Sequence, residues 1–196
     1  MILTAEYYPG KIDSVDQDRT FTAFVGTNLL ASGTLAEVLA AQKARFDDNT
    51  GTLFLTFDDQ TGRQVDFDLR GTPADVQARY RPVREGPGRP KLGVIAREVS
   101  LLPRHWEWLE QQPNGASAAI RRLVDEARKR DPGEQQARAA IRAADRFLTA
   151  MAGNLPGYEE ASRALYARDK KRFHELTRDW PRDIRLHARR VAGGAL

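Results

Sequence analysis

Four carboxylates gather on one short stretch of the chain, Asp58, Asp59, Asp66 and Asp68. Oxygen ligands at such density could hold a hard divalent cation. The run Asp58-Asp59-Gln60-Thr61-Gly62-Arg63 lacks the alternating acidic ligands and distal glutamate of an EF-hand. A solvated edge and turn is therefore the expectation. The three histidines, His105, His174 and His187, are scattered without ligand spacing. With no cysteine there is no thiol nucleophile, no thiolate metal site and no disulfide framework. No glycine-rich phosphate loop follows a strand pattern, and no Gly-x-Ser-x-Gly elbow occurs. The sequence thus predicts no catalytic residue, no metal and no cofactor, and it does not read as an enzyme. What remains is basic and aromatic. Arg121-Arg122 and Arg128-Lys129-Arg130 could contact phosphates or form a wet helix face. Trp106 and Trp108 could stack on bases, but one helix cannot turn both to the same partner, so at least one is expected in a dimer core.

The elements that would carry these residues follow from the apolar spacing. Residues 20–25 alternate, with Phe21, Ala23 and Val25 on one side, and Leu29–Ser32 pairs back across a Gly26-Thr27-Asn28 turn. Thr34 with Glu37 three residues on has capping-box spacing and opens a helix that ends near Phe46. Leu53, Leu55 and Phe57 alternate on a third strand, and Val65, Phe67 and Leu69 on a fourth. Gly62 between them suits the positive φ of a hairpin bulge. Strict period-two patterning predicts a ββαββ sheet with one covered face. Thr72-Pro73 begins a short helix. Residues 81–93, rich in proline and glycine, read as a linker. A strand over 95–102 precedes a helix begun by Pro103. A second helix follows, with Ser117 as its N-cap and Ile120, Leu123, Val124 and Ala127 as its stripe. Helices over 134–152, 158–168, 170–179 and 182–192 complete the chain.

The fold class expected is α+β: an N-terminal ββαββ domain over 1–80, the linker, a strand-helix-helix unit over 94–131, and a small helical bundle over 132–196. The bundle would pack on a dimer or on the ββαββ unit. The formal net charge of +4 is unevenly spread. Residues 1–80 hold 7 basic and 12 acidic side chains, whereas residues 81–196 hold 24 and 15. A basic second half permits a polyanionic partner. Because 25 of the 31 basic residues are arginine, a GC-rich genome would explain the same bias. No apolar run approaches the ~20 residues of a membrane span. The first residues lack a basic flank with an apolar core behind it, so the cytoplasm is the expected location.

The run REVSLLPRHWEWLEQQPNGASAAIRRLVDEARKR, 97–130, resembles the ribbon-helix-helix family of bacterial DNA-binding proteins. The matching places are Val99-Ser100-Leu101-Leu102-Pro103, Trp108-Leu109, Gly115-Ala116-Ser117 and Ala119–Val124. The resemblance implies a homodimer whose paired strands enter the major groove. The start of the second helix would meet a phosphate. Two strand registers stay open: one turns Glu98 and Ser100 outward, the other Arg97, Val99 and Leu101. A unit that dimerises without DNA also stays open. Gly86-Pro87-Gly88-Arg89-Pro90-Lys91 is similar to the Gly-Arg-Pro core of an AT-hook, with Pro87 where that pattern has arginine. Such an arm would lie in a narrow minor groove. The DNA-binding residues expected are Arg84, Arg89, Lys91, Arg97, Ser100, Ser117, Arg121 and Arg122.

Phe21–Gly71 with FDDQTGRQVDFDLRG, then GRPKLGVIAREVSLLPRHWEWL and AGNLPGYEEASRALYARDKKRF, together resemble an uncharacterised bacterial family known only as a domain of unknown function. That resemblance covers nearly the whole chain and implies no activity. The function expected is that of a dimeric, DNA-binding transcriptional regulator. A protein-interaction or adaptor protein that binds no nucleic acid is the alternative. The N-terminal domain would bind a small ligand or another protein, and no membrane is involved.

Overall fold

The computed structural model describes residues 19–48, 51–80 and 97–196. They form two compact units, one from the described residues of Met1–Val83 with Gln136–Leu196, the other from those of Arg84–Gln135. The sheet strands and the C-terminal helices therefore share a core, with Phe24 and Phe57 packed against Phe147, Leu148 and Ile184.

In the first unit, β1 (Phe21–Val25) pairs antiparallel with both β2 (Asn28–Gly33) and β3 (Phe54–Asp58), in the order β2-β1-β3. Phe21 stands opposite Gly33 on one side and Asp58 on the other, and a bulge falls between Ala23 and Phe24 against β2. Alternation sends Phe21 and Ala23 to one face and Thr22 and Phe24 to the other. All four are buried. The expectation of one covered face is thus corrected: both faces are covered. Phe21 and Ala23 pack with Leu35, Val38, Leu39, Leu69 and Val76, while Phe24 and Phe57 pack with the C-terminal helices. Period-two patterning at β1 gave no warning, because its second face is filled by one phenylalanine and one buried threonine.

Helix α1 (Leu35–Asp48) starts where its capping box predicts. The Thr34 amide donates to Glu37 Oε2 at 2.8 Å, and the Glu37 amide donates to Thr34 Oγ1 at 3.4 Å. Helix α2 (Pro73–Arg79) has the same reciprocal arrangement between Thr72 and Asp75, with proline in its first turn.

The predicted fourth strand does not form. Its pairing reduces to one bridge, Phe57 to Gln64, and the Val65 amide on the Thr56 carbonyl at 2.8 Å. Side chains then take over its backbone groups. The Asp68 amide donates to Tyr80 Oη at 2.6 Å, and Arg79 donates to the carbonyls of Asp68 and Arg70. Val65, Phe67 and Leu69 still pack inward against the α1–α2 cluster. Their alternation recorded burial rather than strand pairing.

Gly62 closes the turn after β3, with its amide on the Asp58 carbonyl at 2.8 Å. Its φ is +66°, and a Cβ there would lie 2.0 Å from the Ala143 carbonyl oxygen. Glycine is required both by the left-handed conformation and by this close approach.

Ala143 belongs to α5 (Pro132–Ala152), which is followed by α6 (Tyr158–Tyr166), α7 (Lys170–Leu176) and α8 (Arg182–Ala192). Phe147 is the centre of this core, with ring centroids 5.6 Å from Phe24, 5.1 Å from Phe57 and 4.3 Å from His187. The Trp180 indole N–H donates to the Pro156 carbonyl at 2.8 Å, so its ring is buried without an orphaned donor.

The second unit holds α3 (Pro103–Glu110) and α4 (Gly115–Arg130). Residues 97–102 precede them and join no strand among the described residues. The predicted strand over 95–102 is thus not formed in its described part, 97–102. Ser117 is not the N-cap. That place is taken by Asn114 in the left-handed conformation, and α4 begins earlier, at Gly115. Among the described residues no helix is long and apolar enough to cross a membrane.

Candidate functional site

The first unit contains a polar cluster where β1, β2 and the turn after β3 meet α8. Asp59 is its hub. Its Oδ1 accepts from the Thr22 hydroxyl at 2.8 Å, and its Oδ2 accepts from the Thr20 hydroxyl at 2.8 Å and from Arg190 Nη2 at 3.1 Å. The Thr22 hydroxyl has one hydrogen, given to Asp59, so Ser32 Oγ at 2.9 Å donates to it. Thr22 Oγ1 also accepts from Arg190 Nη2 at 2.7 Å. The same Nη2 lies 2.9 Å from His187 Nδ1. Guanidinium only donates, so Nδ1 accepts and the imidazole proton sits on Nε2.

Burial pushes the His187 pKa down to about 4. Arg190 acts in the same direction and Asp59 opposes them. The ring is therefore neutral at pH 7, and its 3.8 Å approach to Asp59 is not an ion pair there. Ser32 hydrogen-bonds Thr22 and makes no hydrogen bond to His187. The cluster is therefore not a nucleophile–base pair. It fixes one arginine in place, with Nη2 shared among Thr22, Asp59 and His187.

That arginine borders a cleft of about 230 Å³, lined by Leu29, Ser32, Asp183, Leu186, His187 and Arg190. Asp183, Leu186, His187 and Arg190 follow the i, i+3, i+4, i+7 spacing of one helix face. The Leu29 amide, on edge strand β2, donates to Asp183 Oδ2 at 2.9 Å.

The carboxylates expected to form a solvated edge divide. Asp58 and Asp59 are not solvated: Asp58 is 2% exposed, pairs with Arg19 and accepts the amides of Gln60 and Thr61. Asp68 is held by Arg70 and Arg79, and the hydrogen bonds from Arg70 keep its carboxyl well below the usual range. Among the described residues no group of three or more acidic, histidine or cysteine side chains could hold a metal ion.

The expected DNA-binding residues fall into two groups. Arg84, Arg89 and Lys91, and with them the Gly-Arg-Pro arm, lie outside the described residues. Arg97, Ser100, Ser117, Arg121 and Arg122 belong to the second unit, and all five are exposed. Ser117 and Arg121 stand one turn apart on α4. Arg122 donates to Gln112 Oε1 at 3.1 Å and lies 3.8 Å from Glu126. Neither strand register is selected within one chain, since residues 97–100 are all exposed. Sequence reasoning missed the Asp59–His187–Arg190 cluster. Its one sequence signal was a histidine between Ile184 and Ala188 on the buried face of α8.

A family model matches residues 20–192. The chain belongs to that family, described as "Uncharacterized protein conserved in bacteria (DUF2239)". The match takes in β1 through α8, so the polar cluster and the α3–α4 pair are both family territory. No curated protein and no solved structure matches the chain.

Proposed function

We propose that this chain is a homodimeric DNA-binding protein of the cytoplasm, a transcriptional regulator whose 97–130 segments pair across a two-fold axis and enter the major groove. The observation that carries the reading is the state of the second unit. Among its described residues only Leu109 and Ala119 are buried, whereas Val99, Leu102, Trp106, Trp108, Leu123 and Val124 are exposed. About 35 residues with two buried side chains cannot hold together alone, but two copies interlocking their helices can. In that arrangement the unpaired 97–102 segment gains its partner strand from the second copy. The exposed side chains of Arg97, Ser100, Ser117, Arg121 and Arg122 supply donors for bases and phosphates.

The same exposed apolar residues also support the second reading, an adaptor that dimerises and binds no nucleic acid. One pair of measurements separates the two. Light scattering after gel filtration is expected to give twice the 22.0 kDa chain mass. Fluorescence anisotropy with genomic DNA fragments is expected to show binding that weakens steeply between low and moderate salt. A dimer with no DNA affinity at low salt would leave the adaptor. A monomer would remove both.

A further inference from the structure

We propose that the corner where α7 meets α8 is a contact surface for the phosphate backbone of DNA, with Arg178, Arg182, Arg185 and Arg189 as its cations. The inference rests on the DNA-binding reading but not on the 97–130 segment, since every residue it uses belongs to the first unit.

Two arginines of α8 reach back to the end of α7. Arg189 donates from Nη2 to the His174 carbonyl at 2.7 Å and to Thr177 Oγ1 at 3.1 Å, and from Nε to the same hydroxyl at 3.3 Å. Arg185 donates from Nη1 to the Arg178 carbonyl. Arg178 itself is exposed, and its guanidinium has no hydrogen-bond partner among the described residues. Arg182, also exposed, stands one turn before Arg185 on α8. Burial and then the charges of Arg185 and Arg178 lower the pKa of Arg189. Burial and then the charges of Arg189 and Lys170 do the same to His174.

The chain does not neutralise this cluster. None of the four arginines is ion-paired among the described residues. Glu175 pairs with Arg172 at 3.6 Å, Asp183 accepts the Leu29 amide, and Asp179 pairs with none of the four. The carbonyl end of α7 offers at most about half a negative charge. Arg182, Arg185 and Arg189 follow i, i+3, i+7 spacing, a row about 10 Å long on α8. Duplex DNA carries one negative charge per about 1.7 Å of its axis, so such a row faces several phosphates at once. Attraction of this kind needs no open two-pronged edge on any one guanidinium. It reads no base, so it adds affinity without sequence preference.

The test follows the fluorescence anisotropy of labelled random-sequence duplexes with the full chain over a range of salt concentrations. Arg178→Gln with Arg182→Gln removes two exposed charges whose side chains hold no hydrogen bond in the fold. The pair is expected to weaken binding by about tenfold or more. It should also lower the slope of log K against log salt by about 2, equally for every duplex. Arg121→Gln with Arg122→Gln probes the 97–130 segment in parallel. Affinity and slope that ignore the α7–α8 pair but respond to the α4 pair overturn this inference and leave the ribbon reading. The reverse result sustains the corner and removes the ribbon. An unaltered chain that binds no DNA at low salt overturns both. Binding of poly-L-glutamate as tight as that of DNA overturns the assignment to a phosphate backbone.

Discussion

The sheet-bearing unit and the α3–α4 unit use their apolar residues in opposite ways. In the first, Phe21, Phe24, Phe57, Phe147 and Phe173 are all 2% exposed or less, and apolar side chains cover both faces of the sheet. In the second, two tryptophans, two leucines and two valines stand exposed, and two of the described residues are buried apolar ones. Both stretches have amphipathic patterns that predict helices, and both form them. Helix periodicity therefore specifies the element in each case but not whether the partner of its apolar face lies in the same chain. The contrast teaches where to look for self-sufficiency and where for association.

The largest expected effect lies in the first unit. Phe147→Ala removes the ring that touches Phe24, Phe57 and His187 at once. A loss of about 3–5 kcal/mol is expected, read as the shift of the urea unfolding midpoint at constant slope. A shift below about 1 kcal/mol would mean that this core is not what holds the sheet to the helices.

A second probe acts through the proton balance of His187. Its folded pKa of about 4 lies below the ordinary 6.5. Above pH 6.5 the ring is neutral in both states and costs nothing. Below it the unfolded chain takes up a proton that the folded chain refuses, so stability falls with pH until the ring protonates near 4. The groups facing it are Asp59, Arg190 and the rings of Phe24 and Phe147. The loss across that window is about 3 kcal/mol. Carboxylates contribute below pH 5, so the difference between the unaltered chain and His187→Gln isolates this ring. Parallel pH profiles for the two proteins would remove His187 as the titrating group.

Gly62→Ala is expected to cost about 2 kcal/mol in thermal unfolding, because it combines a left-handed φ with a close approach to α5. A change of less than 0.5 kcal/mol, in order of magnitude, would show that the turn can lift from α5 freely.

Legibility in the sequence followed the range of the interaction. The caps at Thr34 and Thr72 and the starts of α3 and α8 at their prolines were readable, because three or four neighbouring residues decide them. The bulge glycine Gly62 was readable for its φ but not for its contact with Ala143, far along the chain. Val65, Phe67 and Leu69 alternate as a strand would, yet Tyr80 and Arg79 take the backbone groups of Asp68 and Arg70, a competition no local pattern records. The polar cluster was the least legible part. Asp59 and Arg190 are far apart in sequence, and each alone looks like a surface charge. Only the folded sheet brings Thr20, Thr22 and Asp59 to the helix that carries His187.

The smallest expected effect is also the one that tests the comparison most directly. Leu123→Ser and Val124→Thr alter exposed positions on α4, 42% and 51% accessible. In a chain that stays monomeric, neither should move the unfolding midpoint by more than about 0.5 kcal/mol, since no packed neighbour is lost. In a dimer closed through α3 and α4, the same changes act on association. Thermal midpoints of the unaltered chain should then rise with protein concentration, and the substitutions should flatten that dependence. Midpoints measured across a hundredfold concentration range decide the matter. A concentration-independent midpoint, unchanged by either substitution, would mean that the bare face of α4 is not closed by a second copy. The apolar surface that distinguishes the second unit would then need a partner other than its own chain.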